Sequence, residues 1–190
     1  DPANRWLLST LPSAMIFDDH DIRDDWNSSL SWKQEMQKTS WWHERIVSGL
    51  GSYWIYQHLG NLSPKERAVD PLWRRISGHA GPGELDLTAD LDAFAERVDA
   101  VPESYRWSYY RDWDQVRLIV VDSRAARKLE PEQRGLLDPA ELAWLDERMR
   151  GGFRHLLIGT SLPFLLPMGL HHVESWDEVL STGKRGRRQA

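Results

Sequence analysis

Apolar positions recur at helical spacing over several long stretches of the chain and run continuously over three short ones. Trp42, Ile46, Leu50 and Trp54 follow one another every four residues, with Val47 and Tyr53 beside them. That spacing gathers them on one broad face and predicts a long helix from near Ser40 to Gly60-Asn61. Ser63, Pro64 and Glu66 supply the N-cap, first-turn proline and capping box of the next helix. Gly78, Gly81, Pro82 and Gly83 predict a loop over 78–86, and Leu91, Phe94, Ala95 and Val98 then mark a helix from Thr88. Asp138-Pro139-Ala140-Glu141 starts a further helix, which Gly151-Gly152 stops.

The three short apolar runs read as buried strands: Ala14 to Phe17, Arg117 to Val121, and His155 to Gly159. Each stops at polar residues, namely Asp18-Asp19-His20-Asp21, Asp122-Ser123-Arg124, and Thr160-Ser161. In open α/β sheets ligands bind at the C-terminal ends of strands. The repeated pattern therefore predicts an α/β fold with its site along one sheet edge. No internal repeat, low-complexity segment or linker divides the chain, which reads as one domain over residues 1–190.

Composition changes this picture in a few places. A net charge of -5, from 24 basic and 29 acidic residues, argues against a general nucleic-acid-binding surface. The one basic run, Lys184, Arg185, Arg187 and Arg188, reads as a solvated tail. Without cysteine there is neither a disulfide framework nor a thiolate metal site. No apolar run approaches the ~20 residues of a membrane span. The chain opens on Asp1-Pro2 without an initiator Met and shows no signal segment, so compartment and oligomeric state stay open. The 11 tryptophans read as core filler or as a ligand surface, and the place of Trp42 and Trp54 on the apolar helix face favours core.

The densest chemistry lies in Asp18-Asp19-His20-Asp21-Ile22-Arg23-Asp24-Asp25. Carboxylates so crowded repel one another unless a cation compensates. A hard cation with oxygen ligands, or a mixed carboxylate and imidazole site, meets that need. A calcium loop of the EF-hand type fits poorly, because Arg23 takes an alternate ligand position and the turn glycine is missing. A charged surface loop neutralised by Arg23 is the competing reading.

The segment from Met15 to Trp26 resembles the Asp-Asp-His-Glu/Asp motif of the PhoD-like alkaline phosphatases, a branch of the calcineurin-like metallophosphoesterases. Val121-Asp122-Ser123-Arg124 is similar to that family's strand ending in Asp-Thr/Ser-Arg. Gly159-Thr160-Ser161-Leu162-Pro163-Phe164 and Glu174-Ser175-Trp176-Asp177 fall in the family's order. The resemblance implies part of a sandwich of β-sheets flanked by helices, with a helical insertion after its first strand. It makes Asp19 a metal ligand, His20 the proton donor or stabiliser at the leaving group, and Asp21 the residue that orients His20. The bland alternatives are Asp19 as a cap and His20 as a packed or surface histidine.

Arg124 suits a phosphate clamp, because guanidinium forks match phosphate oxygens; a salt bridge to Asp122 or the acidic loop competes. His171 and His172, next to Glu174, are expected to line the substrate entrance or lie on the surface. As neighbours in a strand or loop they would point apart and not chelate one ion. His43, His58, His79 and His155 read as structural.

The resemblance implies calcium and iron as cofactors, with manganese or zinc possible, and a small-molecule phosphoester substrate. It also implies metal motifs of the forms Gly-Asp-x-x-Tyr and Gly-Asp-x-His, which these 190 residues lack. The chain is thus expected to be an internal piece whose parent hydrolyses phosphomonoesters or phosphodiesters, inactive by itself and open at its sheet edges. A degenerate, non-catalytic phosphatase-like domain and a tryptophan-rich binding module are the alternatives.

Overall fold

A computed structural model describes residues 1–163 and 165–182. It is a mixed α/β structure in which helices surround a small sheet. Helices α1 (Pro2–Thr10) and α2 (Leu30–Gln37) lead into α3 (Trp42–Tyr53). A π-helical turn over Trp54–His58 and a last turn, α4 (Leu59–Asn61), continue α3 without a break. This is the long helix that the apolar spacing predicts, ending where Gly60-Asn61 placed its end. Helices α5 (Pro64–Val69), α6 (Pro71–Ser77) and α7 (Thr88–Ala100) follow. Ser63 accepts from the Glu66 amide while the Glu66 carboxylate accepts from the Ser63 amide, so the expected capping box is closed.

The sheet has the order β1 (Tyr109–Trp113), β2 (Val116–Val121), β3 (His155–Thr160). β1 runs antiparallel to β2, with Tyr109 opposite Val120, through a tight turn in which Asp114 takes a positive φ of 50°. β2 and β3 are parallel, Val116 opposite His155 and Val121 opposite Thr160, so both strands deliver their polar ends to the same edge. The crossover between them holds α8 (Pro139–Arg148), capped by the Asp138 carboxylate on the Ala140 and Glu141 amides. The last helix is α9 (Met168–Thr182).

Ala14 to Phe17 joins no strand ladder. The Asn61 side chain takes the place of a neighbouring strand: its Oδ1 accepts from the Met15 amide at 3.0 Å and its Nδ2 donates to the Met15 carbonyl at 2.8 Å. The Tyr109 hydroxyl also donates to that carbonyl, at 3.1 Å. The run is apolar because Phe17 anchors it in the core, stacked on Tyr53 at 3.5 Å between ring centroids and edge-on to Trp26 and Trp107.

Five tryptophans, Trp26, Trp32, Trp42, Trp54 and Trp107, belong to this core. Each buried aromatic of that size removes ~150–250 Å² from water, about 4–6 kcal/mol before the entropy of ordering it. The exposed Trp6, Trp41, Trp113 and Trp176 sit on separate elements and form no strip.

Burial on both faces holds only for the end of β2, where Ile119, Val120 and Val121 are buried. β3 carries no further strand on its outer side among the described residues, and Leu157 and Ile158 remain 54% and 37% exposed. An unpaired outer strand leaves its apolar side chains without a covering layer. Phe164 and the basic run Lys184, Arg185, Arg187 and Arg188 lie outside the described residues.

Candidate functional site

The acidic segment folds as a single 3-10 turn, Asp19–Asp21, followed by a tight loop to Asn27. Asp25 and Asn27 both take positive φ, 64° and 55°. Asn and Asp adopt that conformation more readily than other residues with a side chain, so the sequence here suits the bend. Buried Ile22 and Trp26 pin the loop to the core and leave Asp18, Asp21, Asp24 and Asp25 exposed. A second loop, Asp122 to Arg127, meets it. Asn27 Nδ2 donates to the Arg124 carbonyl at 3.2 Å, and Arg127 Nη1 donates to the Asn27 carbonyl at 3.1 Å.

Asp122 builds the second loop. Its buried carboxylate accepts from the amides of Arg124, Ala125 and Ala126 at 2.8, 3.0 and 3.2 Å. Burial pushes its carboxyl above the usual range, and these three amides work in the opposite direction. Its side chain is thus spent on the backbone and makes no salt bridge to Arg124. A third segment closes on the same edge: Ser123 Oγ lies 3.0 Å from Ser161 Oγ and accepts from the Thr160 hydroxyl at 3.2 Å.

Asp19 is the buried member of the acidic turn. Its Oδ1 lies 3.2 Å from His20 Nδ1 and 3.6 Å from Arg124 Nη2, while its Oδ2 accepts from the Asp25 amide at 3.1 Å. Burial opposes its ionisation, but the neighbouring Asp18, the Asp25 amide and the Arg124 guanidinium outweigh this and hold its carboxyl at about 2. Asp19 is therefore a carboxylate at any ordinary pH. Arg124 reaches Asp18 as well, at 3.9 Å. These separations are longer than a tight bidentate pair, so the guanidinium faces the acids without being locked to one of them.

His20 is 72% exposed, with Nδ1 toward Asp19 and Asp18 and Nε2 3.6 Å from Asp24. Asp21 does not touch this imidazole; its Oδ2 accepts from the Asp18 amide at 2.8 Å and closes the turn. The ring is oriented by Asp19 instead. His171 and His172 lie in helix α9, not in a strand or loop. His171 Nε2 accepts from the Leu166 amide at 3.1 Å and its Nδ1 sits 3.5 Å from Glu174. Among the described residues, no hydrogen bond or ion pair joins either histidine to the acidic turn or to Arg124.

Among the described residues, two groups of side chains lie close enough together to share a cation. Asp18, Asp19 and His20 bring ligand atoms within 4.8 Å of one another, and so do Asp19, Asp24 and Asp25. The first set mixes carboxylate and imidazole, as suits zinc, manganese or iron; the second is all oxygen, as suits calcium. Asp19 belongs to both; its Oδ1 faces His20 and Arg124, while its Oδ2 keeps a lone pair beyond the Asp25 amide. The donor set thus fits one metal ion. The family resemblance pointed to Asp19 and left Asp18, Asp24 and Asp25 outside the ligand set. Asn27 and Arg127, which bind the two loops together, gave no signal in the sequence beyond their polarity.

Comparison of the chain with family models, curated proteins and solved structures found no match.

Proposed function

We propose that the chain forms part of a metal-dependent phosphoesterase that hydrolyses phosphomonoesters or phosphodiesters, the activity residing in the parent protein. The finer architecture proposed is that of a calcineurin-like metallophosphoesterase sandwich, as in the PhoD-like alkaline phosphatases. One observation carries the reading. Asp19, its carboxyl held well below the usual range, lies 3.2 Å from the exposed His20 imidazole and 3.6 Å from the Arg124 guanidinium of a loop far away in sequence.

The roles follow from the chemistry of each group. Arg124 offers a planar fork of N–H donors to phosphate oxygens, and a dianionic phosphate competes well with carboxylates that hold it only loosely. A metal ion held by Asp19 with Asp24 and Asp25, or with Asp18 and His20, would supply Lewis-acid polarisation of the phosphoryl oxygen and a water of lowered pKa. Only the all-oxygen set leaves His20 free. With Nδ1 fixed by Asp19, its Nε2, beside Asp24 on an exposed ring, is the nitrogen left to pass a proton to the departing alkoxide. Asp21 acts on the backbone of the turn that presents His20.

The test is metal analysis with para-nitrophenyl phosphate and bis-para-nitrophenyl phosphate assays on the full-length protein, beside Asp19→Ala and His20→Ala. Asp19→Ala is expected to lose both metal and activity. His20→Ala is expected to keep metal and lose roughly 10²–10⁴-fold in kcat, the range of a general acid. A folded full-length protein with neither metal nor turnover would overturn the enzyme reading. It would favour a degenerate domain, in which the contacts of Arg124 with Asp18 and Asp19 are structural.

A further inference from the structure

Next to the tie between Asn27 and Arg127, a cleft of about 360 Å³ opens along Ser28, Arg127, Lys128, Arg134 and Glu178. Backbone pairing gathers its cations. The Lys128 amide donates to the Gly135 carbonyl at 3.0 Å, and the Gly135 amide donates to the Lys128 carbonyl at 3.1 Å. That bridge closes residues 129–134 into a loop and carries Arg134 back to Arg127 and Lys128.

Arg127 enters no ion pair among the described residues. Its Nε donates to the Ser123 carbonyl at 2.6 Å and its Nη1 to the Asn27 carbonyl at 3.1 Å, which leaves Nη2 as a donor. Burial, then the charge of Arg124 and more weakly that of Arg134, push its guanidinium down to about 10, against the pull of Asp122 and Asp19. A cation crowded by two others is relieved by an anion. Lys128 meets Glu103 at 3.3 Å and Arg134 meets Glu178 at 3.1 Å. Both acids are about half exposed, and ion pairs of that kind contribute little, so an incoming dianion competes for the same donors.

Three cations against one acid select an anion. Phosphate suits them best, because guanidinium forks match its oxygens, its double charge answers the surplus, and the Ser28 hydroxyl adds a donor. The same residues tie the cleft to the phosphoryl site. Arg127 follows Arg124 on one loop, and the charges of both Arg124 and Asp19 reach it. Asn27 joins the two arginines, its side chain donating to the Arg124 carbonyl and its own carbonyl accepting from Arg127. Resting on the phosphoesterase reading, we propose that this cleft binds a second phosphate group of the substrate, one that is not transferred, so that the site acts on esters carrying two phosphate groups. Binding energy gathered there, away from the reacting atoms, positions the phosphoryl group that Arg124 meets.

The test is calorimetric titration of the full-length protein, with Ca²⁺ present, using hexane-1,6-diphosphonate and hexylphosphonate, which cannot be hydrolysed. The diphosphonate is expected to bind about tenfold more tightly or better, since its second group binds from within the same molecule. A Lys128→Gln/Arg134→Gln variant keeps Arg127 and its loop contacts. It is expected to lose that gain while hexylphosphonate affinity changes by less than about twofold. Equal affinity of the two ligands in the unaltered protein, or a gain that the double variant retains, would overturn the second phosphate site and leave the phosphoesterase reading standing. A gain that disappears in the double variant but survives Arg124→Ala would show a cleft for free anions, unconnected to the phosphoryl site, and would overturn the proposal. Binding of neither ligand would overturn both readings.

Discussion

Replacing Glu141 by Gln removes the charge, and little of the shape, of a carboxyl that the fold has taken out of water. Glu141 is the third residue of α8, just inside the Asp138 cap. It is 4% exposed, and its Oε1 has no hydrogen-bond partner among the described residues. A helix N-terminus favours a carboxylate. Burial acts the other way, and the charges of Asp122 and Asp138 reinforce it, so the carboxyl is pushed up from 4.5 to about 7.

Between those two values the native state holds a proton that the unfolded chain has released. Stability from this group is therefore present at low pH and lost as pH rises toward 7. A shift of that size, at 1.36 kcal/mol per unit, corresponds to about 3 kcal/mol. His58 works in the opposite direction: buried among aromatic rings, its imidazole is held down at about 3, so it costs stability as pH falls below its ordinary value of 6.5. The two slopes overlap and partly cancel in the unaltered protein.

Their separation requires a difference measurement. Urea unfolding of both proteins from about pH 4.5 to about pH 8, at constant salt, gives that difference, in which the His58 contribution drops out. The Glu141→Gln variant should gain about 3 kcal/mol relative to the parent across the window, most of it between pH 5 and pH 7. A buried amide brings its own pH-independent cost of roughly 1–2 kcal/mol, so the slope carries the test and the offset does not. A difference that stays flat with pH would refute the claim that Glu141 is buried as a neutral acid.

Two further predictions concern the groups that hold the core and the site together. Among the described residues, His58 has no hydrogen-bond partner on either ring nitrogen, and it meets Trp107 and Tyr105 edge-on at 4.9 and 5.4 Å. His58→Phe should stabilise the protein by about 1–2 kcal/mol near pH 7 and remove its loss of stability between pH 6.5 and about 3, read from melting curves at pH 5 and pH 7. A lowered melting temperature at both values would show instead that the imidazole is satisfied. Asp122→Ala leaves three buried amides unpaired and should cost about 2–4 kcal/mol in denaturant unfolding, with faster hydrogen exchange at Arg124, Ala125 and Ala126. A loss below about 1 kcal/mol would mean that the loop does not depend on this carboxylate.

Local order was readable wherever its cause is local. Ser63 and Asp138 start helices because each side chain accepts hydrogen bonds from amides two or three residues ahead, and such a signal lies within one turn of sequence. The face defined by Trp42, Ile46, Leu50 and Trp54 is buried as its spacing requires. β2 and β3 were visible as apolar runs. β1 was not, because Tyr109 to Trp113 mixes aromatic and charged residues on a hairpin edge. Nor was α9, where the expectation of a strand or loop around His171 and His172 gave way to a helix. A four-residue run such as Ala14 to Phe17 reads the same whether a strand or a side chain bonds its backbone, and here Asn61 does so.

The same division runs through the site. The sequence by itself determined that acids, an imidazole and an arginine end up at strand and loop termini, because a contiguous motif and a strand end are both short-range patterns. Only the tertiary structure decided which of them meet. Asp19 became the buried carboxylate facing Arg124, and Asp21 was turned onto the backbone of Asp18. Asn27 and Arg127 became the ties between loops a hundred residues apart. Those pairings follow from how Phe17, Ile22 and Trp26 seat one loop in the core and how three amides converge on Asp122 in the other. Packing of that kind sums many weak contacts across the whole chain, and no short window of sequence contains it.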